Sequence, residues 1–149
     1  MRLIIFALLA LVLAGLIWVR VAPVDAERVH RPVGATAPGD EGRDGGFTSV
    51  RRITASGPEV LAAIEEIAAT TPRTRRVAGG VDEGRITYET RSRWIGFPDY
   101  TTAEIVEGAD GTLLVLHARL RFGRSDLGVN RARVESWLDR LGAKVAPLS

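Results

Sequence analysis

The sequence contains no cysteine, and this absence excludes disulfide cross-links, thiol nucleophiles and thiolate metal sites. Lysine occurs once, at Lys144, so 19 of the 20 basic residues are arginine, a bias that is usual in high-GC bacterial genomes. The formal net charge is only +2, which is too small for composition alone to indicate a nucleic-acid or acidic partner. With 149 residues, the chain has room for one domain with its own core.

One long apolar run covers residues 3–19 and lies between Arg2 and Arg20. As a helix it would rise about 25 Å, close to the roughly 30 Å hydrocarbon core of a bilayer. Trp18 suits the membrane interface at one end of the run. We therefore assign residues 1–22 to an N-terminal membrane anchor with a single transmembrane helix.

A cleaved signal peptide is the alternative, since Val-Asp-Ala at residues 24–26 is a possible cleavage site. The apolar run is longer than the about 7–15 residues of a signal peptide, so we expect an uncleaved signal anchor in the inner (cytoplasmic) membrane. The side of the membrane on which the domain lies is open. Arg20, Arg28 and Arg31 after the apolar run outnumber Arg2 before it, which favours a cytoplasmic domain. The short stretch of two residues before the run favours export of the domain. We expect a periplasmic domain.

Residues 23–46 combine prolines, glycines and charges without an apolar period. This composition predicts a flexible tether that would hold the domain about 25–30 Å from the membrane. His30 lies in this segment with no second metal ligand nearby, so we expect a solvated side chain. The folded domain then covers residues 47–149.

The patterns in residues 47–141 predict the order β-α-β-β-β-β-α. Ser56 and Glu59 form a capping-box pattern at the start of the first helix, and Pro72 ends it. Strands are expected at residues 47–54, 73–78, 84–92, 100–107 and 112–122. A last helix, at about residues 128–141, carries an apolar stripe of Val134, Trp137, Leu138 and Leu141. This is an α+β fold, a curved antiparallel sheet with two helices on one face, similar to the TBP-like and helix-grip arrangements.

The Asp110-Gly111 pair predicts a hairpin between the last two strands. With a two-residue turn at this pair, Glu104 would face His117 as a cross-strand pair and Thr102 would face Arg119. Apolar side chains of the last strand then point toward the helices, and its other side chains point to the helix-free face. The arginines of that face are Arg119 and Arg121, with Arg91 and Arg93 on the same side near Trp94. Such a face is either solvated or a cradle for a phosphate, carboxylate or lipid headgroup.

The segment 120–133, Leu-Arg-Phe-Gly-Arg-Ser-Asp-Leu-Gly-Val-Asn-Arg-Ala-Arg, is too particular to be generic. It resembles the signature of the domain-of-unknown-function 1499 (DUF1499) family, in which Arg and Gly precede Ser-Asp-Leu-Gly-Val-Asn-Arg. Ser92-Arg93 and Phe97-Pro98-Asp99 are similar to earlier family motifs, with Tyr100 where the family has a second acidic residue. The resemblance covers about residues 47–141 and implies an anchor, a tether and this domain, but no activity.

The turn from Ser125 to Gly128 leads into the last helix. Asp126 or Asn130 can cap that helix, and Leu127 can fill the core. A helix N-terminus near several arginines would also form an anion site, unless the arginines pair with Asp99 or Asp126. The candidate binding residues are Arg93, Asp99, Arg119, Arg121, Ser125, Asp126, Asn130 and Arg131.

A catalytic site is difficult to build from these residues, because the nucleophile-elbow, Walker and zinc-protease motifs are missing. Ser125, His117 and Asp126 could form a triad on paper, but His117 lies some 25 Å away along a strand. We therefore expect a non-catalytic binding or assembly module without a cofactor or metal; the alternatives are a hydrolytic enzyme and a cytoplasm-facing membrane protein that binds a protein partner. Expected partners are the membrane, through residues 3–19, and an anionic small molecule, a lipid headgroup or an envelope protein, but no nucleic acid.

Overall fold

The computed structural model describes residues 1–148. Its first element is helix α1 (Arg2–Val21), in which no side chain is buried. By length and composition α1 could cross a membrane, and a signal sequence has the same character. A single helical turn, α2 (Ala26–Val29), follows, with the Asp25 carboxylate accepting a hydrogen bond from the Arg28 N–H group at its start.

The domain is built on six antiparallel strands in the order β1-β2-β6-β5-β4-β3. The strands are β1 (Gly39–Arg43), β2 (Gly46–Arg52), β3 (Thr74–Gly80), β4 (Arg85–Arg91), β5 (Pro98–Gly108) and β6 (Gly111–Leu120). Helices α3 (Gly57–Thr70) and α4 (Val129–Leu141) pack together on one face of this sheet, and short 3-10 turns lie at Val81–Glu83 and Gly142–Lys144. The predicted α+β fold is confirmed, with β1 as an additional strand.

Helix α3 begins and ends for local reasons. The Glu59 N–H group donates to the Ser56 hydroxyl, and the Glu59 carboxylate accepts from the Ser56 N–H group, which completes the predicted capping box. Pro72 stands beyond the last turn, where it cannot continue the helical hydrogen bonds.

The apolar core lies between this helical layer and the sheet. Trp137 of α4 is 1% exposed and meets the Tyr88 ring edge-on, with ring centroids 5.5 Å apart. The Trp137 indole N–H group donates to the Thr71 hydroxyl. The alternation predicted for the last strand is confirmed, because Leu114, Leu116 and Ala118 are fully buried on the helix side.

The predicted register of the β5–β6 hairpin is wrong by two residues. Gly108 pairs with Gly111, so the two-residue loop is Ala109-Asp110 rather than Asp110-Gly111. Gly111 has φ +124°, a conformation that L side chains rarely adopt, and it occupies the first position of β6. Since the shift is an even number, every side chain keeps its predicted face. The partners change, however: Thr102 faces His117, and Glu104 faces Val115.

The segment predicted as a flexible tether is structured. Its residues 39–43 form the edge strand β1, joined to β2 by a turn at Asp44-Gly45 in which Gly45 has φ +70°. The strand Gly-Asp-Glu-Gly-Arg contains no apolar side chain, so a hydrophobic pattern could not indicate it. The Asp-Gly dipeptide was the available signal.

Residues 22–35 lie along the helix-free face of the sheet. Ala22 is buried, and Val33 and Ala35 pack against a second apolar cluster on that face, formed by Val50, Leu113 and Val115. The sheet is therefore covered on both sides, by helices on one face and by an irregular N-terminal segment on the other.

Candidate functional site

The helix-free face carries a layer of buried polar side chains. They alternate along β4 and β5 with the residues that point to the core, and each is less than 9% exposed: Thr87, Glu89, Tyr100, Thr102 and Glu104. Buried polar groups require hydrogen-bond partners. The N-terminal segment supplies partners for two of them, Thr87 and Glu104.

His30 is one of these partners, and the expectation of a solvated His30 is wrong. Its side chain is 12% exposed, and its Nδ1 lies 2.9 Å from the Thr87 hydroxyl. Its Nε2 accepts a hydrogen bond from Arg85 Nε at 3.4 Å. A side chain at Gly79, which has φ +78°, would overlap the His30 ring, so this glycine leaves room for the histidine.

Glu104 holds the next part of the segment. Its Oε2 accepts a hydrogen bond of 2.9 Å from the Val33 N–H group, and its Oε1 accepts one of 2.9 Å from Arg85 Nη1. The predicted Glu104–His117 pair does not form, since the two residues are not opposite each other. A buried carboxylate thus joins an arginine of β4 to the backbone of the N-terminal segment.

Arg119 and Arg121 lie on this face, as the sequence predicted, and they hold the segment nearest α1. Arg119 donates to the Val29 carbonyl and to the Thr102 hydroxyl. Arg121 donates to the carbonyls of Ala22 and Pro23, at 3.2 and 2.7 Å. Within residues 1–148, neither guanidinium forms an ion pair with a carboxylate, so their charges are matched only by neutral oxygens. Burial lowers the pKa of Arg119, against the effect of the nearby Tyr100.

Two adjoining cavities open around these arginines, and we call them together the arginine hollow. The first, of about 420 Å³, includes Arg119, Arg121 and Tyr100 in its lining. The second, of about 520 Å³, shares Arg28 and Arg119 with the first and adds His117. The charged residues of both are Asp25, Arg28, Arg31, Glu41, Arg43, Arg119 and Arg121. Five arginines therefore face two carboxylates, and Arg43 is paired with Glu41.

Tyr100, Thr48 and His117 are the uncharged polar residues that line the hollow. The Tyr100 hydroxyl is buried and makes no hydrogen bond of ordinary geometry with the described residues. Burial raises the pKa of Tyr100, although the nearby Arg121 acts in the opposite direction, so the phenol keeps its proton. His117 Nδ1 lies 2.8 Å from the Thr48 hydroxyl. Burial, Arg119 and Arg43 lower the pKa of His117 to about 4, which makes it a neutral imidazole at pH 7.

The Ser-Asp-Leu-Gly turn forms its hydrogen bonds with its own backbone. Asp126 accepts from the N–H groups of Gly128 and Asn130, at 3.1 and 2.8 Å, and so caps α4 as predicted. Burial disfavours the Asp126 charge, but these N–H groups outweigh it and hold the pKa below its usual range. Ser125 accepts from the Leu127 N–H group. Leu127 is 93% exposed, so the expectation that it fills the core is wrong.

Asn130 belongs to a buried ionic group that includes Arg133. The Asn130 side-chain oxygen accepts a 2.8 Å hydrogen bond from Arg133 Nη1, and Arg133 Nη2 lies 3.4 Å from Asp99 Oδ2. Burial raises the pKa of Asp99, with Arg133 acting in the opposite direction. The sequence reasoning missed Arg133; its spacing of three residues from Asn130 on one helix was the signal that could have found it.

The other two candidate arginines, Arg93 and Arg131, do not lie close to Arg119 and Arg121. Arg131 lies over the Phe47 ring at 5.0 Å, on the helix side of the sheet, and pairs with Glu135. Arg93 lies over the exposed Trp94 ring. The predicted cluster of three arginines around the turn is therefore divided between two faces of the sheet. Ser125, His117 and Asp126 each bond to different partners, and within residues 1–148 no cluster of three acidic or histidine side chains could hold a metal ion.

Comparison with known proteins gives a family. The family model described as "Protein of unknown function (DUF1499)" matches residues 39–141, beginning at the first residue of β1. No curated protein matches the sequence. A solved structure of an uncharacterised protein from Rhizobium leguminosarum is 18% identical; the match covers 71% of this chain and 95% of that chain, with a TM-score of 0.43.

Proposed function

This chain belongs to the DUF1499 family, whose description assigns no activity, and we propose from its geometry that it is a membrane-anchored, non-catalytic module that binds an anionic group in the arginine hollow. The observation that carries this proposal is the buried, unpartnered Tyr100 hydroxyl beside Arg119 and Arg121. Buried donors are almost always satisfied. An anion in the hollow would accept from the guanidinium groups and, after a small shift of the surrounding side chains, from this hydroxyl.

The charge of the hollow supports an anion rather than a cation or an apolar ligand. Five arginines and two carboxylates surround it, and His117 adds a neutral ring instead of a further positive charge. Arginine presents planar, paired donors that match carboxylate and phosphate oxygens. A phosphate or carboxylate group is therefore the expected chemistry of the ligand.

Among the described residues, the hollow holds an incomplete set of groups for hydrolysis, which supports a binding role. His117 contacts a hydroxyl, that of Thr48, but no carboxylate accepts a hydrogen bond from its ring. A hydrolytic triad would need both a carboxylate and a hydroxyl nucleophile at the histidine. Ser125 and Asp126 lie instead in the turn before α4, bonded to its backbone.

Membrane anchoring by α1 is the second part of the proposal. The helix has 20 residues and a hydropathy typical of membrane spans, and Trp18 and Arg20 at its end suit an interface. We place it uncleaved in the cytoplasmic membrane, with the domain in the periplasm. Fractionation combined with N-terminal sequencing tests this part: a soluble mature protein beginning at Glu27 would contradict it.

The anion site is tested by thermal unfolding of the full chain in detergent, with inorganic phosphate as the probe. Phosphate should raise the midpoint by mass action, by about 2.7 kcal/mol of stability at a hundred times the dissociation constant, and the gain should shrink with added salt. Tyr100→Phe should weaken the phosphate effect with little loss of stability, because the hydroxyl it removes has no hydrogen-bond partner among the described residues.

The chain offers a matched control for this substitution. Tyr88 also has a buried, unpartnered hydroxyl, but it lies in the core on the helix side. Tyr88→Phe should therefore leave the phosphate effect unchanged. If phosphate, sulfate and citrate all fail to stabilise the chain at low salt, or if both tyrosine variants respond alike, the hollow is not an anion site.

A further inference from the structure

The end of the sheet where α1 joins the domain carries exposed apolar side chains and arginines outside the arginine hollow. Arg91 at the end of β4 pairs with Pro98 at the start of β5, and Leu120 at the end of β6 pairs with Asp99. Loops 92–97 and 121–128 therefore leave the sheet at the same end. We call the exposed side chains there the docking edge: Arg20, Arg93, Trp94, Ile95, Arg124 and Leu127.

The apolar members of the docking edge are held outward. Trp94 is 82% exposed and Leu127 is 93% exposed. Leu127 has φ +53°, a left-handed conformation that is costly for a leucine. The neighbouring hydrogen bonds from Leu127 N–H to Ser125 and from Gly128 N–H to Asp126 hold this turn in place. Two large apolar side chains are thus presented to the surroundings on separate loops at one end of the domain.

The last turn of α1 is bonded to the first of these loops. Arg20 Nη1 donates to the Ile95 carbonyl at 3.4 Å, and Arg91 Nη1 donates to the carbonyls of Arg20 and Gly96, at 2.9 and 3.1 Å. Gly96 has φ +81°, and a Cβ atom there would approach Arg20 Nη1 to 3.3 Å. The Trp94-Ile95 loop therefore lies directly against the end of the apolar helix.

This contact sets the depth of the loop in a membrane. The apolar run of α1 ends at Val19, and Arg20 follows it. An arginine at that position lies among the headgroups. A loop bonded to Arg20 then lies at the same level, where tryptophan is favoured and where exposed arginines attract anionic lipids. We infer that the docking edge inserts into the headgroup layer of an anionic bilayer, so that the sheet stands directly on the membrane. This inference depends on the membrane anchoring by α1 proposed above.

The absence of cysteine allows a clean test, because a single substitution creates a unique site for a nitroxide label. Ile95→Cys and Leu127→Cys place the label in the docking edge, and Asp110→Cys places it in the exposed loop at the opposite end of the sheet. The full chain is reconstituted in vesicles of phosphatidylcholine and phosphatidylglycerol. Accessibility to oxygen, which concentrates in lipid, is compared with accessibility to a water-soluble nickel chelate.

Labels at positions 95 and 127 should be reached several-fold better by oxygen than by nickel, and the label at position 110 should show the reverse. Replacing Arg93 and Arg124 by Gln should move the first two labels toward water; replacing the exposed Arg52, which lies at the opposite end of the sheet near Asp110, should not. Flotation with the vesicles reports the anchor separately. If the chain floats but all three labels are equally accessible to the nickel chelate, the docking edge does not lie in the membrane. If the chain does not float, the proposal that α1 anchors it is wrong.

Discussion

On one face of the sheet, Leu114, Leu116 and Ala118 of β6 pack against α3 and α4. On the other face, the alternating residues His117 and Arg119 meet hydroxyls and backbone carbonyls. The first face is held by apolar area, which acts without regard to direction. The second is held by directed hydrogen bonds and charges, which stabilise only when every partner is in place. The helix side is therefore expected to carry stability, and the other side to carry recognition.

The largest effect should come from the helix side, through Trp137→Ala. This substitution removes the largest fully buried side chain together with its contact to Tyr88. Loss of a buried tryptophan costs about 3–5 kcal/mol of unfolding free energy. Chemical denaturation measures this cost, and Leu138→Ala, on the same helix but only partly buried, is the control with a smaller loss. Equal losses would contradict the described packing of α4.

The buried pair of Arg133 and Asp99 should give the next largest effect. Arg133→Met leaves the Asp99 carboxylate without its cation, and breaking such a pair costs about 3 kcal/mol. Adding Asp99→Asn removes the orphan charge and should restore part of the loss, which a double-mutant cycle measures. Additive losses would mean that the two side chains do not interact.

On the helix-free face, His117 should make stability dependent on pH. An unfolded histidine binds its proton near pH 6.5, whereas folded His117 does so only near pH 4. Between these values the unfolded chain holds more protons, so the contribution is complete above pH 6.5 and is lost as the pH falls toward 4. We expect a loss of about 1–3 kcal/mol over this window. His117→Asn, which cannot titrate, should flatten the dependence of unfolding free energy on pH between these values, as measured by denaturation at several pH values. An unchanged dependence would show that His117 is solvent-exposed in the folded protein.

The smallest effect should come from His30→Ala, which loosens the N-terminal segment. The loss of its hydrogen bond to Thr87 should cost about 1 kcal/mol. Trypsin should then cleave faster at Arg28 and Arg31. Glu83→Ala removes only an exposed partner of His30 and should leave cleavage unchanged, as surface ion pairs contribute little. Equal cleavage in all three proteins would show that His30 does not hold the segment.

The difference between apolar packing on the helix side and directed hydrogen bonds on the helix-free face explains which elements could be predicted from the sequence. Helix α3, the α4 stripe and the strand alternation depend on neighbours within a few residues, and they were predicted correctly. The hairpin register was missed because Gly111 takes the first strand position rather than a position in the turn. Strand β1 was missed because its side chains are polar or absent.

The site was predicted only in part for a related reason. Arg119 and Arg121 could be named because the alternation of β6 shows which face they occupy. Arg28 and Arg31 could not, since their place depends on contacts such as Val33 with Glu104, 71 residues apart in the chain. The arginines of the hollow therefore come from segments with no local pattern in common.

Local patterns along the chain were enough to specify the apolar helix, the capped α3 and the inward side of each strand, because apolar periodicity and capping residues act locally. Long-range contacts in the folded domain specify that residues 22–35 cover the helix-free face and that Arg131 is separated from Arg119. They also leave the Tyr100 hydroxyl without a hydrogen-bond partner among the described residues. These results depend on single hydrogen bonds between distant residues. No periodic pattern encodes such bonds, because each needs the whole sheet to bring its two groups together.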